Sequence, residues 1–594
     1  MTLLRKKRIF YILIGFSFLL CLYAVRIAWI QYNSATKALS ASGVTMNEMA
    51  VRQREEGIEL DSGRGQFLDR YGYSLTGLTL WVPVLFPVKD LPDFKQLTDL
   101  AKLLGVTATD LKGKWSDLRA PYIWPVAEKQ TPLVLSREEA AKWTQVNGFK
   151  ILPYMQRYAD QASGKQWLGY VSQRPDVIHS LNEQNNSRFI PLTMQVGAAG
   201  LERTFDSFLR GVGSTRAALA VDGKKRPLFG LGIRLKAEND RYYPLYVRTT
   251  IDGALQTQIE NLTEQMGIRE GAVVVLDAQQ GDVVSMVSRP FFNPRDIDLK
   301  QGGWSNHAVK AAVPGSIFKT VIAAAALEEK LTSPNEVFVC SGHYGKYGLS
   351  CWKEGGHGKI TLRQAFAQSC NTVFAALGER LTASSIQNTA AKLGLGRTVG
   401  WYDPSFRGGM PLRQIDQEEA GAVFASGIYA DGGVRVQTAL GQRDVMISPL
   451  QAANMVVTLL HRGQVAAPRL VQDIYFKNGA RMLEFAPSYS SSQLGSISQA
   501  TAAVLLDLMG SVVESGTGRS LQAAKWKLAG KSGTSQVVSA GRPMNHQWFI
   551  GYGPVEQPRY AVAVLVENRQ PNSPHQATAL FRRVMDILAG REEI

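Results

Sequence analysis

Ala311-Ala312-Val313-Pro314-Gly315-Ser316-Ile317-Phe318-Lys319-Thr320 is the stretch from which the rest of the chain is read. Its Pro-Gly pair closes one segment in a turn. The run that follows, Thr320-Val321-Ile322-Ala323-Ala324-Ala325-Ala326-Leu327, has no polar face and reads as a helix buried all round. Ser316 then falls in the first turn of that helix, with Lys319 three residues on and on the same face. A lysine in so apolar a helix, near the positive end of its dipole, sheds its proton more readily than a free one. A neutral amine beside a hydroxyl is a base beside a nucleophile. Ser-x-x-Lys also arises by chance in long chains, so its weight depends on what lies downstream.

Around this stretch the chain has 594 residues, 45% hydrophobic and 20% charged, with a formal net charge of +16. That length suggests two to four domains with sizeable cores. The positive balance fits an anionic lipid surface or an anionic polymer. Nucleic acid is disfavoured, because no zinc-finger spacing, RNP motif or base-reading basic helix is present. Arg5-Lys6-Lys7-Arg8 precedes an uncharged run from Ile9 to Val25, followed by Arg26 and Ile27-Ala28-Trp29-Ile30. The run is near the lower end of membrane-spanning length, Arg26 can snorkel, and Trp29 suits an interface. No small-x-small cleavage site lies between residues 20 and 35, so an uncleaved signal anchor is expected. This divides the start into a cytoplasmic basic tail, 1–8, and a transmembrane anchor in the lipid bilayer, 9–30. Everything beyond would lie on the outer face of the cell membrane.

Residues 31–60 read as a polar, helical juxtamembrane segment. Gly72 after Arg70-Tyr71 marks a turn with extended segments on either side. Residues 90–145 carry helical patterning, 173–190 a surface loop or short helix, and Gly200–Gly211 one amphipathic helix stopped by glycine. Residues 214–250 look like strands with a turn at Asp222-Gly223. The span 31–250 offers no nucleophile–base pair and reads as an α+β pedestal or partner-binding module. From residue 251 to 594 the order is a helix from Asp252 to Gln265, a strand hairpin across Asp277–Gly281, a helical middle, two strands (Trp548–Tyr552 and Tyr560–Val566) and a final helix near Ala577–Leu588. That order implies an α+β fold, an antiparallel sheet covered by helices.

Two further motifs carry chemistry. Ser369 and Asn371, in Gln368-Ser369-Cys370-Asn371, sit at a helix start, where capping is their ordinary role. Near Lys319 they would instead relay a proton and hold a carbonyl. Ala529-Gly530-Lys531-Ser532-Gly533-Thr534-Ser535 invites a phosphate-loop reading. That motif needs glycine at 525, where Lys525 stands. The preceding Trp526-Lys527-Leu528 looks like a strand, and a strand reading suits the motif better. As an edge strand it presents Lys531, the hydroxyls of Ser532 and Thr534 and a backbone N–H to an extended anionic ligand, and Gly533 allows close approach. Of the four cysteines, Cys21 lies in the anchor and Cys370 in the second motif. Cys340-x-x-His343 with Cys351 and His357 matches no standard zinc spacing. A Cys340–Cys351 disulfide, a metal site and free thiols all stay open.

Ser-x-x-Lys, Ser-x-Asn and Lys-Ser-Gly-Thr in that order, roughly fifty and then roughly 160 residues apart, resemble the signature of penicillin-binding proteins and serine β-lactamases. The likeness extends to Gly271–Ser288, Asn306, Pro314-Gly315, Gly356-His357-Gly358, Gly516-Thr517-Gly518 and Trp548–Gly553, which look like a penicillin-binding transpeptidase domain over 251–594. Arg64-Gly65, Asp69-Arg70, Gly72, Arg157-Tyr158, Leu168-Gly169-Tyr170 and Gly200-Leu201-Glu202 are similar to the pedestal, or dimerisation-like domain, of class B enzymes. No glycosyltransferase domain stands between anchor and pedestal. Ala312-Val313 and His461-Arg462-Gly463 depart from common family patterns away from the three motifs.

The resemblance implies peptidoglycan D,D-transpeptidation without metal or cofactor. Ser316 would attack the penultimate D-Ala carbonyl of a stem peptide ending in D-Ala-D-Ala, with Lys319 as base and Ser369 as proton relay. The N–H groups of Ser316 and Thr534 would stabilise the oxyanion. Asn371 would bind the stem peptide, and Lys531, Ser532, Gly533 and Thr534 its terminal carboxylate. β-Lactams would acylate Ser316. A glycan-polymerising membrane protein of the SEDS type, or other cell-wall machinery, would be the partner. The alternatives are a membrane-anchored β-lactamase or sensor, which seldom carries so long a pedestal, and a silent cell-wall scaffold, against which the intact motifs argue.

Overall fold

The computed structural model describes residues 3–36, 54–126, 131–143, 146–159, 161–184, 190, 192–237, 240–297, 302–425, 430–490 and 492–592. An N-terminal helix runs from Leu3 to Thr36. Its segment Leu4–Asn33 is long and apolar enough to cross a membrane, and its apolar window is exposed among the described residues. Residues 37–53 of the expected juxtamembrane helix lie outside the described residues. Residues 31–36 are helical as expected, but Glu55–Asp61 is a strand, paired antiparallel with Thr215–Ala220. Its partner is far away in sequence, so local polarity misled. Buried Leu60 joins Ala217 and Leu219 in a small core.

The outer pedestal combines that strand pair with a second one, Leu78–Leu85 on Phe149–Gln156. Two helices cover it, Phe94–Leu104 and Ala108–Ser116, capped by Asp93 and Thr107. Leu97, Leu100, Ala101 and Leu104 recur at helical spacing and are buried. Within the span expected to be loop or short helix, Pro175–Gln184 is helical; residues 185–189 lie outside the described residues. Gly200–Gly211 is not one helix but two short turns, Gly200–Thr204 and Asp206–Leu209, broken at Phe205. Glu202, in the first of these turns, points inward and meets buried Arg64, the buried Tyr158 hydroxyl and half-buried Arg157.

The pedestal is fused to the C-terminal part rather than strung from it. Tyr246–Thr249 pairs with Gln66–Leu68 on one side and with Val471–Tyr475 on the other. Phe67, Trp167, Leu201 and Phe205 belong to the same apolar cluster as the buried helix after Ser316. Asp416 accepts from Gly200 N–H and pairs with Arg203 across the junction.

The central sheet has five strands: β1 Gly271–Asp277, β2 Val283–Arg289, β3 Ala529–Ser539, β4 Arg542–Gly553 and β5 Tyr560–Arg569. They lie in the order β2-β1-β5-β4-β3, antiparallel throughout, as the sequence implies. β1 and β5 are apolar along nearly their whole length because both faces are covered. Val273 and Val275 face helices α1 (Gly253–Gln265) and α6 (Gln576–Glu592). Ala272, Val274 and Leu276 face the helical layer formed by α2 (Lys319–Glu328), α3 (Asn371–Arg380), α4 (Pro449–Leu460) and α5 (Gln499–Ser515). Every residue of α2 from Lys319 to Ala326 is buried, as its unbroken apolar run requires. The third motif lies on β3, which is an edge. That strand begins at Ala529, so the strand expected at Trp526-Lys527-Leu528 is corrected: those residues precede it.

Candidate active site

Ser316 lies on a single 3-10 turn, Gly315–Phe318, that feeds into α2, so it precedes the α-helix and does not sit inside it. Its side chain is half-buried, whereas Lys319 is fully buried. Gly315 has φ +57°, and a Cβ there would lie 2.3 Å from the Thr534 carbonyl oxygen. A Cβ on Gly533 would lie 2.8 Å from the Pro314 carbonyl oxygen and 2.9 Å from Ile317 Cγ2. Glycine at both positions lets the serine turn and edge strand β3 touch backbone to backbone. Val313 O accepts from Ser535 Oγ at 2.7 Å and from Trp548 Nε1 at 2.9 Å, which ties the turn to β3 and β4.

Lys319 reaches the second motif. Its Nζ donates to Ser369 O at 2.8 Å and Asn371 Oδ1 at 2.9 Å, and stands 3.3 Å from Ser369 Oγ. Lys531 Nζ meets the same hydroxyl at 3.0 Å and donates to Ser532 O, also at 3.0 Å. Ser369 therefore bridges two buried lysines. It holds φ at 53°, a left-handed conformation uncommon for residues other than glycine. Among the described residues neither amine has a carboxylate partner. Each instead approaches an aromatic ring, Lys319 that of Phe374 and Lys531 that of Phe366. Burial pushes Lys319 down to about 7. Burial, and then the nearby Lys319, push Lys531 well below the ordinary lysine range.

The remaining expected residues line β3. Ser532 is buried and shares a 2.6 Å hydrogen bond with Thr517 Oγ1, and Thr534 is exposed on the open edge. The eight expected site residues thus lie on the serine turn and α2, the start of α3 and β3, which meet one another here. Among the described residues no side-chain hydrogen bond links Ser316 to Lys319, although the Lys319 backbone N–H donates to Ser316 O; the amine points first at the second motif. The sequence reading missed His575, just before α6. Its Nε2–H donates to Gly533 O at 3.1 Å, and Nδ1 accepts from Thr578 Oγ1–H at 2.8 Å. This pattern is that of a neutral ring, and burial holds its pKa down. Nothing adjacent to His575 in sequence marks it.

The sequence reading also left Cys370 out of the cysteine cluster. Cys340 and Cys351 are free thiols rather than a disulfide, and Cys370 comes within 3.9 Å of Cys351. His357 joins them, whereas His343 does not. Three thiols and one imidazole whose donor atoms all lie within 4.8 Å of one another make up a donor set that suits zinc.

Comparison with known proteins places this geometry. Residues 271–586 match the model of the penicillin-binding protein transpeptidase domain, and residues 59–228 that of the penicillin-binding protein dimerisation domain. The chain is 27% identical over 574 residues to the peptidoglycan D,D-transpeptidase MrdA of Haemophilus influenzae, covering 89% of this chain and 84% of that protein. Two solved structures share the fold. One, described as a peptidoglycan synthase complex that coordinates polymerization and crosslinking, superposes with a TM-score of 0.65 at 23% identity, covering 97% of each chain. The other, the penicillin-binding protein PBP2 of Helicobacter pylori in complex with MreC, has a TM-score of 0.61 at 20% identity, covering 91% of this chain and 99% of that one. On the match to the transpeptidase domain, which spans more than half of its length, this chain belongs to the penicillin-binding protein transpeptidase family.

Proposed function

We propose that the chain is a peptidoglycan D,D-transpeptidase that works through an acyl-enzyme on Ser316. The observation that carries this is the pairing of an accessible serine with a buried lysine whose pKa is about 7. A neutral amine has two N–H bonds and one lone pair. The N–H bonds are taken by Ser369 O and Asn371 Oδ1, which leaves the lone pair for a hydroxyl proton.

Ser316 Oγ attacks the penultimate D-Ala carbonyl, and its proton passes to Lys319. The negative charge that forms on the carbonyl oxygen faces the N–H groups of Ser316 and Thr534. When the C–N bond breaks, the Ser369 hydroxyl protonates the leaving D-alanine amine and recovers its proton from Lys319. Lys531 donates to the Ser369 oxygen, which orients that hydroxyl toward Lys319. Asn371 binds the stem peptide; Lys531 with Ser532, Gly533 and Thr534 receives the terminal carboxylate. An amine from a neighbouring stem peptide then attacks the ester, and Ser316 regains its proton. β-Lactams enter by the same first step. The N-terminal helix anchors the chain with its basic end in the cytoplasm and the site on the outer face. The anchor and pedestal meet a glycan polymerase of the SEDS type, in keeping with the synthase complex among the structural relatives.

The test is labelling of the full chain in detergent with fluorescent penicillin, beside Ser316→Ala. A long-lived covalent adduct absent from the variant is expected. Rapid release of the label would identify a β-lactamase instead. An adduct that survives Ser316→Ala would move the nucleophile elsewhere.

A further inference from the structure

His575 touches the site from behind, and the acyl-transfer steps leave it without a role. It is half-buried in the turn between β5 and α6. Its Nδ1 faces two donors from the first turn of α6, the Thr578 hydroxyl at 2.8 Å and the Thr578 backbone N–H at 3.3 Å. A nitrogen that accepts cannot carry the single proton of a neutral ring, so that proton is on Nε2. Nε2–H points at Gly533 O, 3.1 Å away. The bond from Thr578 N–H, three residues on, is that of a helix cap. Ser, Thr, Asp and Asn are the ordinary caps. An imidazole adds a second nitrogen on the far side of the ring, and here that nitrogen reaches the edge strand of the site.

Gly533 O belongs to the same peptide unit as Thr534 N–H. The unit is planar and trans, so its C=O and N–H point in opposite directions and turn together. A donor fixed on the carbonyl fixes the direction of the N–H. It also polarises the unit, which makes the N–H the stronger donor. A carbonyl oxygen has two lone pairs, which leaves room for this bond beside one from β4. The turn that carries His575 is itself anchored. Gln547, buried on β4 and directly opposite Thr534, accepts from Gln576 N–H at 2.7 Å and donates to Pro574 O at 3.1 Å. Gln576 Nε2 donates in turn to Met266 O at 2.6 Å. β3 also meets the serine turn at Gly315 and Gly533. The 533–534 peptide plane is thus held by β4, by the turn before α6 and by the serine turn.

We propose that His575 is a positioning residue for acylation: through Gly533 O it aims and strengthens the Thr534 N–H that receives the negative oxygen. This role rests on the reading of Ser316 as the acylated nucleophile with Thr534 N–H in the oxyanion hole. When Ser316 Oγ bonds to the substrate carbonyl carbon, the π electron pair moves onto the carbonyl oxygen, and Thr534 N–H meets it there. His575 gives up no proton and serves as a fixed donor throughout. Removing an oxyanion donor outright slows the chemistry by about 10²–10³-fold, and a donor that stays but loses its support should lose less, about tenfold.

The test uses the full chain in detergent, with three readouts: saturation kinetics of acylation by a fluorescent penicillin, the infrared stretch of the Ser316 ester carbonyl in the acyl-enzyme, and the thermal midpoint. His575→Asn keeps a cap for Thr578 N–H but is too short to reach Gly533 O. It is expected to lower the saturating rate about tenfold and leave the half-saturating concentration unchanged. The ester stretch is expected at higher wavenumber, as for a carbonyl with weaker hydrogen bonds. His575→Gln, whose amide reaches as far as Nε2, is expected to restore both rate and stretch. Thr578→Val, which removes the hydroxyl that holds the tautomer, is expected to fall between wild type and His575→Asn. A His575→Asn chain with wild-type rate and stretch would overturn the proposal. So would a His575→Gln chain as slow as His575→Asn, or rates that follow the thermal midpoint across the variants rather than the presence of a donor, since either marks His575 as a cap alone. Loss of the acyl-enzyme reading looks different: wild-type protein would carry no label on Ser316.

Discussion

Lys319 and Lys531 are both fully buried and share the Ser369 hydroxyl without a carboxylate between them. In the proposed mechanism the base in acylation is the neutral form of Lys319, which burial pushes down to about 7. The rate of penicillin acylation should therefore rise about tenfold per pH unit below 7 and level off above it, since protonated amine cannot accept the serine proton. Stopped-flow labelling of the full chain from pH 5 to 9 checks this. A flat profile would mean that another group takes the proton. Ser316, Lys319, Ser369, Asn371 and the Lys531 strand were legible because each motif places its groups within a few residues. Cys370 was legible only as the middle of Ser-x-Asn. Its approach to Cys351 depends on a loop folding back, which no spacing encodes. His575 acts through a carbonyl on another strand and leaves no local trace.

At the scale of elements, the serine turn and β3 meet closely at Gly315 and Gly533, with the Ile317 and Ser535 side chains at the contact. Gly533→Ala places a methyl 2.8 Å from the Pro314 carbonyl oxygen, so the strand or the turn must move. The expected cost is about 1–3 kcal/mol of stability. A shift of about 1 Å at a catalytic edge can slow the chemistry by about 10²-fold. Thermal unfolding and labelling rate measure the two effects separately, and an alanine variant that acylates at the wild-type rate would show that the seating is loose. The hairpin of β1 and β2, the all-buried α2 and the closing strands were readable from periodicity, because fully covered strands and helices carry long apolar runs. Glu55–Asp61 was not. Its Glu55-Glu56-Gly57-Ile58-Glu59-Leu60-Asp61 pattern buries only Leu60 fully, and pairing with Thr215–Ala220 overrides what the segment suggests alone. The Phe205 break in Gly200–Gly211 escaped as well, because no glycine or proline inside the segment marks it.

At the scale of the whole molecule, Glu202 is the ionic centre of the pedestal base, held by Arg64, Arg157 and Tyr158. Removing it in Glu202→Ala takes the carboxylate from Arg157 and leaves Arg64 with Asp206 alone, at an expected cost of about 3–5 kcal/mol. The thermal midpoint should fall accordingly. Glu202→Gln, which keeps an acceptor, should fall less. An unchanged midpoint in Glu202→Ala would mean that the arginines find other partners. The sequence suggested a cut at residue 250, and strands cross it: Val471–Tyr475 lies beside Tyr246–Thr249, which lies beside Gln66–Leu68. The apolar cluster likewise runs from Phe67 and Phe205 to Phe318 without a gap. The base of the pedestal and the catalytic sheet are therefore one melting unit. In scanning calorimetry the heat absorbed by both should appear in a single peak, and a β-lactam bonded to Ser316 should move that whole peak upward, carrying with it strands that never touch the drug.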